Sequence, residues 1–150
     1  MWDAALGVER ENCRVRGVFG AAPQTGHAMG CKIIVKKSKK PDGSFKYKVR
    51  LVAKGFTQIK HVNYNETYAP TTSTTVVLLL LQYTVMQGLH LSSFDVTAAF
   101  LEGENDYPNF AWIPLEFGGE FAGKRVEVKG NFYGEKQAPK VWNDKLNEIL

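Results

Sequence analysis

Several things are scarce or missing in this sequence, and each absence narrows the field. Only two cysteines, Cys13 and Cys31, occur in 150 residues. That excludes a disulfide framework and points to a reducing compartment. The apolar run Val76–Leu81 is far too short to span a bilayer, and no membrane partner is expected. Trp2–Val18 is broken by charges throughout, which is not the pattern of a signal peptide. Repeats, low-complexity tracts and heptads are absent, as are a nucleophile–base pair and a phosphate-cradling glycine loop. Cys13, His27, Cys31 and His61 lack the Cys-x-x-Cys or His-x-x-x-His spacing of a zinc site. The most telling gap is in charge of one sign: from His61 to Gly123 there is no Lys or Arg at all.

What is present is organised around that gap. The composition, 44% hydrophobic and 23% charged, is ordinary for one globular domain with a real core. Net charge is +4, and ten Lys or Arg fall between Gly30 and Lys60, opposed only by Asp42. Seven acids then occupy the stretch without cations: Glu66, Asp95, Glu102, Glu104, Asp106, Glu116 and Glu120. A basic segment followed by an acidic one suggests a surface for a polyanion beside a site for a cation. Most of those lysines are expected simply to solvate a hairpin.

In chain order, residues 1–29 read as a lead-in segment, in which Trp2, Ala5, Leu6 and Val8 form one face of a short helix before Gly17, Gly20, Pro23 and Gly26 break it. Cys31–Val35 is rich in β-branched residues. Phe45–Ala53 alternates apolar residues with Lys46, Lys48 and Arg50, a period of two. Lys40-Pro41-Asp42-Gly43-Ser44 between them has turn chemistry, so the whole predicts a hairpin with a basic face. Residues 55–70 read as a loop. Thr71–Thr75 offers N-caps and Gly88 a C-terminal stop for a mostly buried helix over 76–87. Leu89–Val96 reads as a strand, Thr97–Leu101 as a helical turn, and Glu102–Pro114 as irregular. Arg125–Lys129 alternates as a short strand. A helix starts at Lys140 with Val141, Trp142, Leu146, Ile149 and Leu150 inward, after a turn bracketed by Gly134 and Pro139. Hairpin, helix, strand, strand, helix predicts an α+β fold with an antiparallel sheet and packed helices.

Asp95 ends the Leu89–Val96 alternation just before a small-residue turn. A carboxylate held at a strand tip can hold a metal ion; taken without context, it fits better as a cap for the turn after it. Three motifs in order change the weight between these readings. Lys48-Val49-Arg50-Leu51-Val52-Ala53-Lys54-Gly55-Phe56-Thr57-Gln58, followed by Tyr64-Asn65-Glu66-Thr67-Tyr68-Ala69-Pro70, closely resembles the opening of reverse transcriptases of copia-type LTR retrotransposons. Asp95-Val96-Thr97-Ala98-Ala99-Phe100-Leu101-Glu102-Gly103 resembles that family's first catalytic motif, usually Asp-Val-Lys-Thr-Ala-Phe-Leu-Asn-Gly. Asn131-Phe132-Tyr133-Gly134-Glu135-Lys136-Gln137-Ala138-Pro139 resembles its second, usually Ser-Leu-Tyr-Gly-Leu-Lys-Gln-Ala-Pro.

The resemblance implies the fingers and first part of the palm of a right-handed polymerase over residues 30–150, within a longer polyprotein. It implies nucleotidyl transfer with Mg²⁺ or Mn²⁺, a dNTP and an RNA or DNA template-primer as partners, and an intracellular setting in a cytoplasmic particle and the nucleus. Asp95 and the Val96 carbonyl would bind metal. Phe100 would sit under the sugar, Tyr133, Gly134 and Lys136 beside the nucleotide and template, and Lys48, Arg50 and Lys54 against phosphates. The departures are Thr97 and Ala98 for Lys and Thr, Glu102 for Asn, and Glu135 for Leu. The second metal-binding motif, Tyr-x-Asp-Asp, would lie beyond residue 150, so the chain by itself is expected to be inactive. Glu102, Glu104 and Asp106 are expected to be solvated loop acids. Two rival readings are a nucleic-acid-binding remnant without chemistry and a decayed fragment.

Overall fold

A computed structural model describes the backbone of residues 1–150 and every side chain except those of Glu104 and Asp106. It begins with helix α1 (Trp2–Val15), carrying Asp3 in its first turn and Arg14 in its last, both favourable to the helix dipole. Gly17 takes the left-handed conformation that ends it, with φ of 59°, and Val18 N–H reaches back to the Cys13 carbonyl at 3.0 Å. The face turned inward carries Leu6, Glu9 and Cys13; Val8, expected to be inward, is exposed.

Five strands follow: β1 (Phe19–Ala21), β2 (Met29–Lys39), β3 (Phe45–Ala53), β4 (Glu104–Trp112) and β5 (Arg125–Gly130). They form one sheet in the order β1-β5-β4-β2-β3. The β2–β3 hairpin is as the alternation predicts, from Cys31 opposite Ala53 to Lys39 opposite Phe45. Its turn is closed by the Asp42 carboxylate, which accepts from Ser44 N–H at 2.8 Å, with Gly43 at φ of 81°. The sheet is mixed, not wholly antiparallel. β2 and β4 run parallel through two residue pairs, Met29 with Ala111 and Gly30 with Trp112. The architecture is thus α+β, with three helices and a mixed sheet. Val18, Met29, Leu51, Ala111, Val126, Val128 and Phe132 fill the core.

Several expectations fail. Helix α2 (Thr74–Met86) has its caps as predicted: Ser73 Oγ accepts from Val76 N–H at 3.3 Å, and Gly88 has φ of 63°. Yet Val76–Leu81 are all exposed and only Thr84 is buried. Its apolar residues run around the whole circumference, the pattern of a helix covered on all sides, and the sheet does not cover it. Leu89–Val96 forms no strand: Leu89, Leu91 and Phe94 are exposed and have no strand partner. Strand propensity expresses itself only where a neighbouring edge supplies pairing and burial. Glu102–Pro114, expected to be irregular, contains β4. Pro108 is accommodated because the register with β5 shifts between Glu104 and Asn109. At the C-terminus α3 (Ala138–Ile149) starts with Pro139 in its first turn, where its missing N–H costs nothing. Ile149 and Leu150 are exposed, not inward. Among the described residues, no helix is long and apolar enough to cross a membrane.

The exposed apolar surface of α2 predicts a concrete behaviour. Replacing Leu79 and Val85 with Lys and Glu should leave the unfolding free energy within about 0.5 kcal/mol, because neither side chain is packed. It should also suppress concentration-dependent light scattering. Loss of more than about 2 kcal/mol in a denaturant titration would show that α2 is packed in solution.

Candidate functional site

The site begins with β3, an edge strand of the sheet. Val49, Leu51 and Ala53 point into the core, so Lys48 and Arg50 take the other face. Helix α1 lies along β3, with Trp2 edge-on to Tyr47 at 4.6 Å. The buried Glu9 carboxylate accepts the Leu51 N–H at 3.1 Å. Burial pushes the Glu9 carboxyl up, against the hydrogen bond from Leu51 and the field of Arg50.

Arg50 stacks its guanidinium over the Tyr133 ring, 4.2 Å from the centroid. Phe100 meets the same ring edge-on, at 6.1 Å. Tyr133 itself is fixed by its backbone, because Ala53 N–H donates to the Tyr133 carbonyl at 2.7 Å. Gly134, at φ of 91°, lies so close to β3 that a Cβ there would stand 2.3 Å from the Ala53 carbonyl oxygen. Four of the sequence-predicted residues, Arg50, Phe100, Tyr133 and Gly134, are therefore gathered at the end of β3.

Asp95 lies on the irregular segment before the Ala99–Glu102 turn, exposed, and not at a strand tip. It acts electrostatically on Lys48. Lys48 is held below the usual lysine range by desolvation and by Arg50 and Lys46, with Glu9 and Asp95 opposing. Val96 is beside it and partly exposed. The other two predicted residues point elsewhere. Lys136 Nζ donates to the Gln58 carbonyl and the Tyr64 hydroxyl, both at 3.3 Å. Lys54 lies along Gly30, to whose carbonyl its own N–H donates at 2.8 Å.

The donor chemistry at Asp95 and the Val96 carbonyl is oxygen-only, which suits Mg²⁺ or Mn²⁺. The set is incomplete: among the described residues no group of three His, Cys, Asp or Glu could hold a metal. Glu102 does not join it. Contrary to the expectation of a solvated acid, Glu102 pairs with Arg16 Nε at 2.7 Å, and Arg16 Nη2 also donates to the Thr97 carbonyl at 3.3 Å. Lys145 of α3 reaches the Glu102 carboxylate at 4.0 Å. The end of α1 thus clamps both ends of the turn that follows Asp95. The side chains of Glu104 and Asp106 lie outside the described residues.

Sequence reasoning missed a buried polar network behind Tyr133. Glu135, 4% exposed, accepts from Phe132 N–H at 2.9 Å, Asn109 Nδ2 at 3.1 Å and Gln137 Nε2 at 3.2 Å. Asn109 also exchanges hydrogen bonds with Asn63, and Gln58 donates to Gln137. Asn131 Oδ1 accepts from Gln137, while its buried Nδ2 has no partner. Burial raises the Glu135 carboxyl to about 7, against the donors that hold its ionised form. The one signal in the sequence was Glu135 itself, an acid where the motif usually has Leu.

Comparison with known proteins now decides the family. The model of the family described as reverse transcriptase (RNA-dependent DNA polymerase) matches residues 18–150. The chain belongs to that family. Retrovirus-related Pol polyproteins of plant transposons are similar to it: TNT 1-94 of Nicotiana tabacum, 30% identical over 97% of the chain, and RE1 of Arabidopsis thaliana, 33% over 81%. RE2 of Arabidopsis thaliana is 32% identical over 85%. These relatives agree with the copia-type resemblance of the motifs. The chain spans only 8 to 11% of their length. No solved structure matches it. The reverse transcriptase match starts at Val18, so α1, with Glu9 and Arg16, precedes the matched region.

Two predictions follow from these geometries. Glu135 has a folded-state pKa above its unfolded value of 4.5, so its contribution to stability is full below pH 4.5 and is lost as pH rises through about 7. A shift of that size amounts to roughly 3 kcal/mol. Glu135→Gln should flatten the pH dependence of the denaturation midpoint between pH 5 and 8; an unchanged slope would contradict the burial. The Arg16–Glu102 pair is partly exposed, so a double-mutant cycle of Arg16→Ala and Glu102→Gln should give a coupling of about 0.5–1 kcal/mol, halved or more in 1 M salt.

Proposed function

We propose that this chain is the fingers and first part of the palm of a retrotransposon RNA-directed DNA polymerase, working within a longer Pol polyprotein. The carrying observation is the Arg50–Tyr133–Phe100 stack at β3, on the strand whose Lys48 also feels the Asp95 carboxylate. Cations on a rigid strand suit a triphosphate, and aromatic rings suit a sugar and base. In this reading Lys48 and Arg50 hold phosphate oxygens, and Lys54 contacts template phosphates farther along. Phe100 lies under the sugar and excludes a 2′-hydroxyl. Gly134 lets the backbone of the turn lie against β3 beside the nucleotide, and Lys136 supports the template side. Asp95 and the Val96 carbonyl supply metal ligands, and a bound divalent ion would activate the attacking hydroxyl and stabilise the leaving oxygen. The remaining carboxylates come from the Tyr-x-Asp-Asp segment of the longer protein. The partners are a template-primer, a dNTP and the rest of the polyprotein.

Primer extension on an RNA template with Mg²⁺ tests this, using the polyprotein portion that includes Tyr-x-Asp-Asp. Asp95→Asn should lower synthesis on the order of a hundredfold or more. No synthesis by the unmutated portion would refute the reading. The 150-residue chain should show no synthesis, because its ligand set is incomplete. It should still bind template-primer through the basic β2–β3 hairpin, with affinity falling steeply between 50 and 200 mM salt. Lys46→Glu with Lys48→Glu should flatten that dependence.

A further inference from the structure

We propose that Glu135 is the positioning residue that fixes the Phe132–Glu135 turn, and with it Tyr133 and Gly134, against the end of β3. The turn is closed twice. Glu135 N–H donates to the Phe132 carbonyl at 3.3 Å, a long bond. Its carboxylate closes the same turn from the other side, Oε2 accepting Phe132 N–H at 2.9 Å. The second oxygen, Oε1, accepts from Asn109 Nδ2 on β4 and from Gln137 Nε2 at the start of α3. Asn109 Nδ2 donates as well to the Asn63 carbonyl at 3.1 Å, in the loop after β3. One side chain therefore ties the turn to β4 and to α3, and through Asn109 to that loop.

Leucine, the residue usual at this place in the motif, would fill a similar volume and accept none of these bonds. A buried carboxylate is costly unless several donors converge on it, and here three do. The donors differ in what they would lose. Asn109 and Gln137 keep other acceptors, the Asn63 carbonyl and the Asn105 and Asn131 side-chain oxygens. Phe132 N–H has no other acceptor among its hydrogen bonds. Removing the carboxylate should therefore act locally, on the backbone that carries Tyr133.

Amide hydrogen exchange, read residue by residue by NMR on the 150-residue chain, tests the proposal. In Glu135→Leu the Phe132 amide should exchange at least tenfold faster and Ala53, whose N–H donates to the Tyr133 carbonyl, should follow it, while the other amides of β2 and β3 keep their rates. Glu135→Gln, which retains one acceptor oxygen, should keep Phe132 within about threefold of wild type. Unchanged Phe132 protection in a folded Glu135→Leu protein would overturn the proposal. If that variant does not fold, the wild type decides alone. A scalar coupling across the hydrogen bond, between Phe132 nitrogen and the Glu135 carboxyl carbon, should be present, and its absence overturns the proposal equally. A second arm rests on the nucleotide reading above: titration with dTTP should shift the Tyr133 ring resonances at fivefold or more lower concentration in wild type than in Glu135→Leu. If wild type shows no shift at all, the nucleotide reading fails, while the exchange result still decides the role of Glu135.

Discussion

The close approach of two backbones at the end of β3 is the constraint on which the site depends. Ala53 N–H donates to the Tyr133 carbonyl, and neither side leaves room for a side chain. A Cβ on Gly55 would stand 2.1 Å from the Gly134 carbonyl oxygen, and one on Gly134 2.3 Å from that of Ala53. Such contacts involve rigid backbone, so they cannot relax as a side chain would. Everything gathered there follows from this seam. Tyr133 comes under Arg50, Phe100 comes onto Tyr133, and Lys136 N–H reaches Gln58 Oε1 at 2.8 Å. An alanine at either glycine would separate β3 from the turn, not merely loosen it.

Two acids not used in the proposed chemistry serve that geometry. Glu9 caps a backbone N–H on β3, whose outer edge would otherwise be open to pairing with another chain. Glu135 does the equivalent for Phe132. Both are buried, and both are held toward their neutral forms by desolvation. Helix α1, which precedes the matched region of the family, is therefore part of the support of the site: Glu9 acts on β3, and Arg16 acts on the turn after Asp95.

The hairpin was legible because its signal is local. Period-two alternation, Asp42-Gly43 turn chemistry and strand length all agree within twenty-five residues. The gathering of Arg50, Tyr133 and Phe100 was legible only through motif resemblance, since no local rule brings residues 50, 100 and 133 together. The elements that misled are those whose state depends on partners far along the chain. β4 exists because β5 and β2 flank it, despite Pro108. Leu89–Val96 has the right residues for a strand and no edge to join. α2 was given its caps correctly and its burial wrongly, because apolarity says what a helix prefers and not what is nearby. The amide network was invisible, since Asn and Gln at 63, 109, 131 and 137 look like loop polarity until Glu135 is seen buried among them.

The two halves of the sheet meet through only two parallel pairs, Met29 with Ala111 and Gly30 with Trp112. Those partners lie far apart in sequence, whereas the β2–β3 hairpin and the β4–β5 pair each close over short distances. Chain entropy must be surrendered before the parallel seam returns any contact energy. The seam between the two halves is completed by contacts that are also long in sequence separation, Ala53 with Tyr133 and Asn63 with Asn109, so the parts that hold the site together are the ones costliest in chain closure. Weakening that seam would leave the edges of β2 and β4 unpaired, and unpaired strand edges are where chains associate with their own copies.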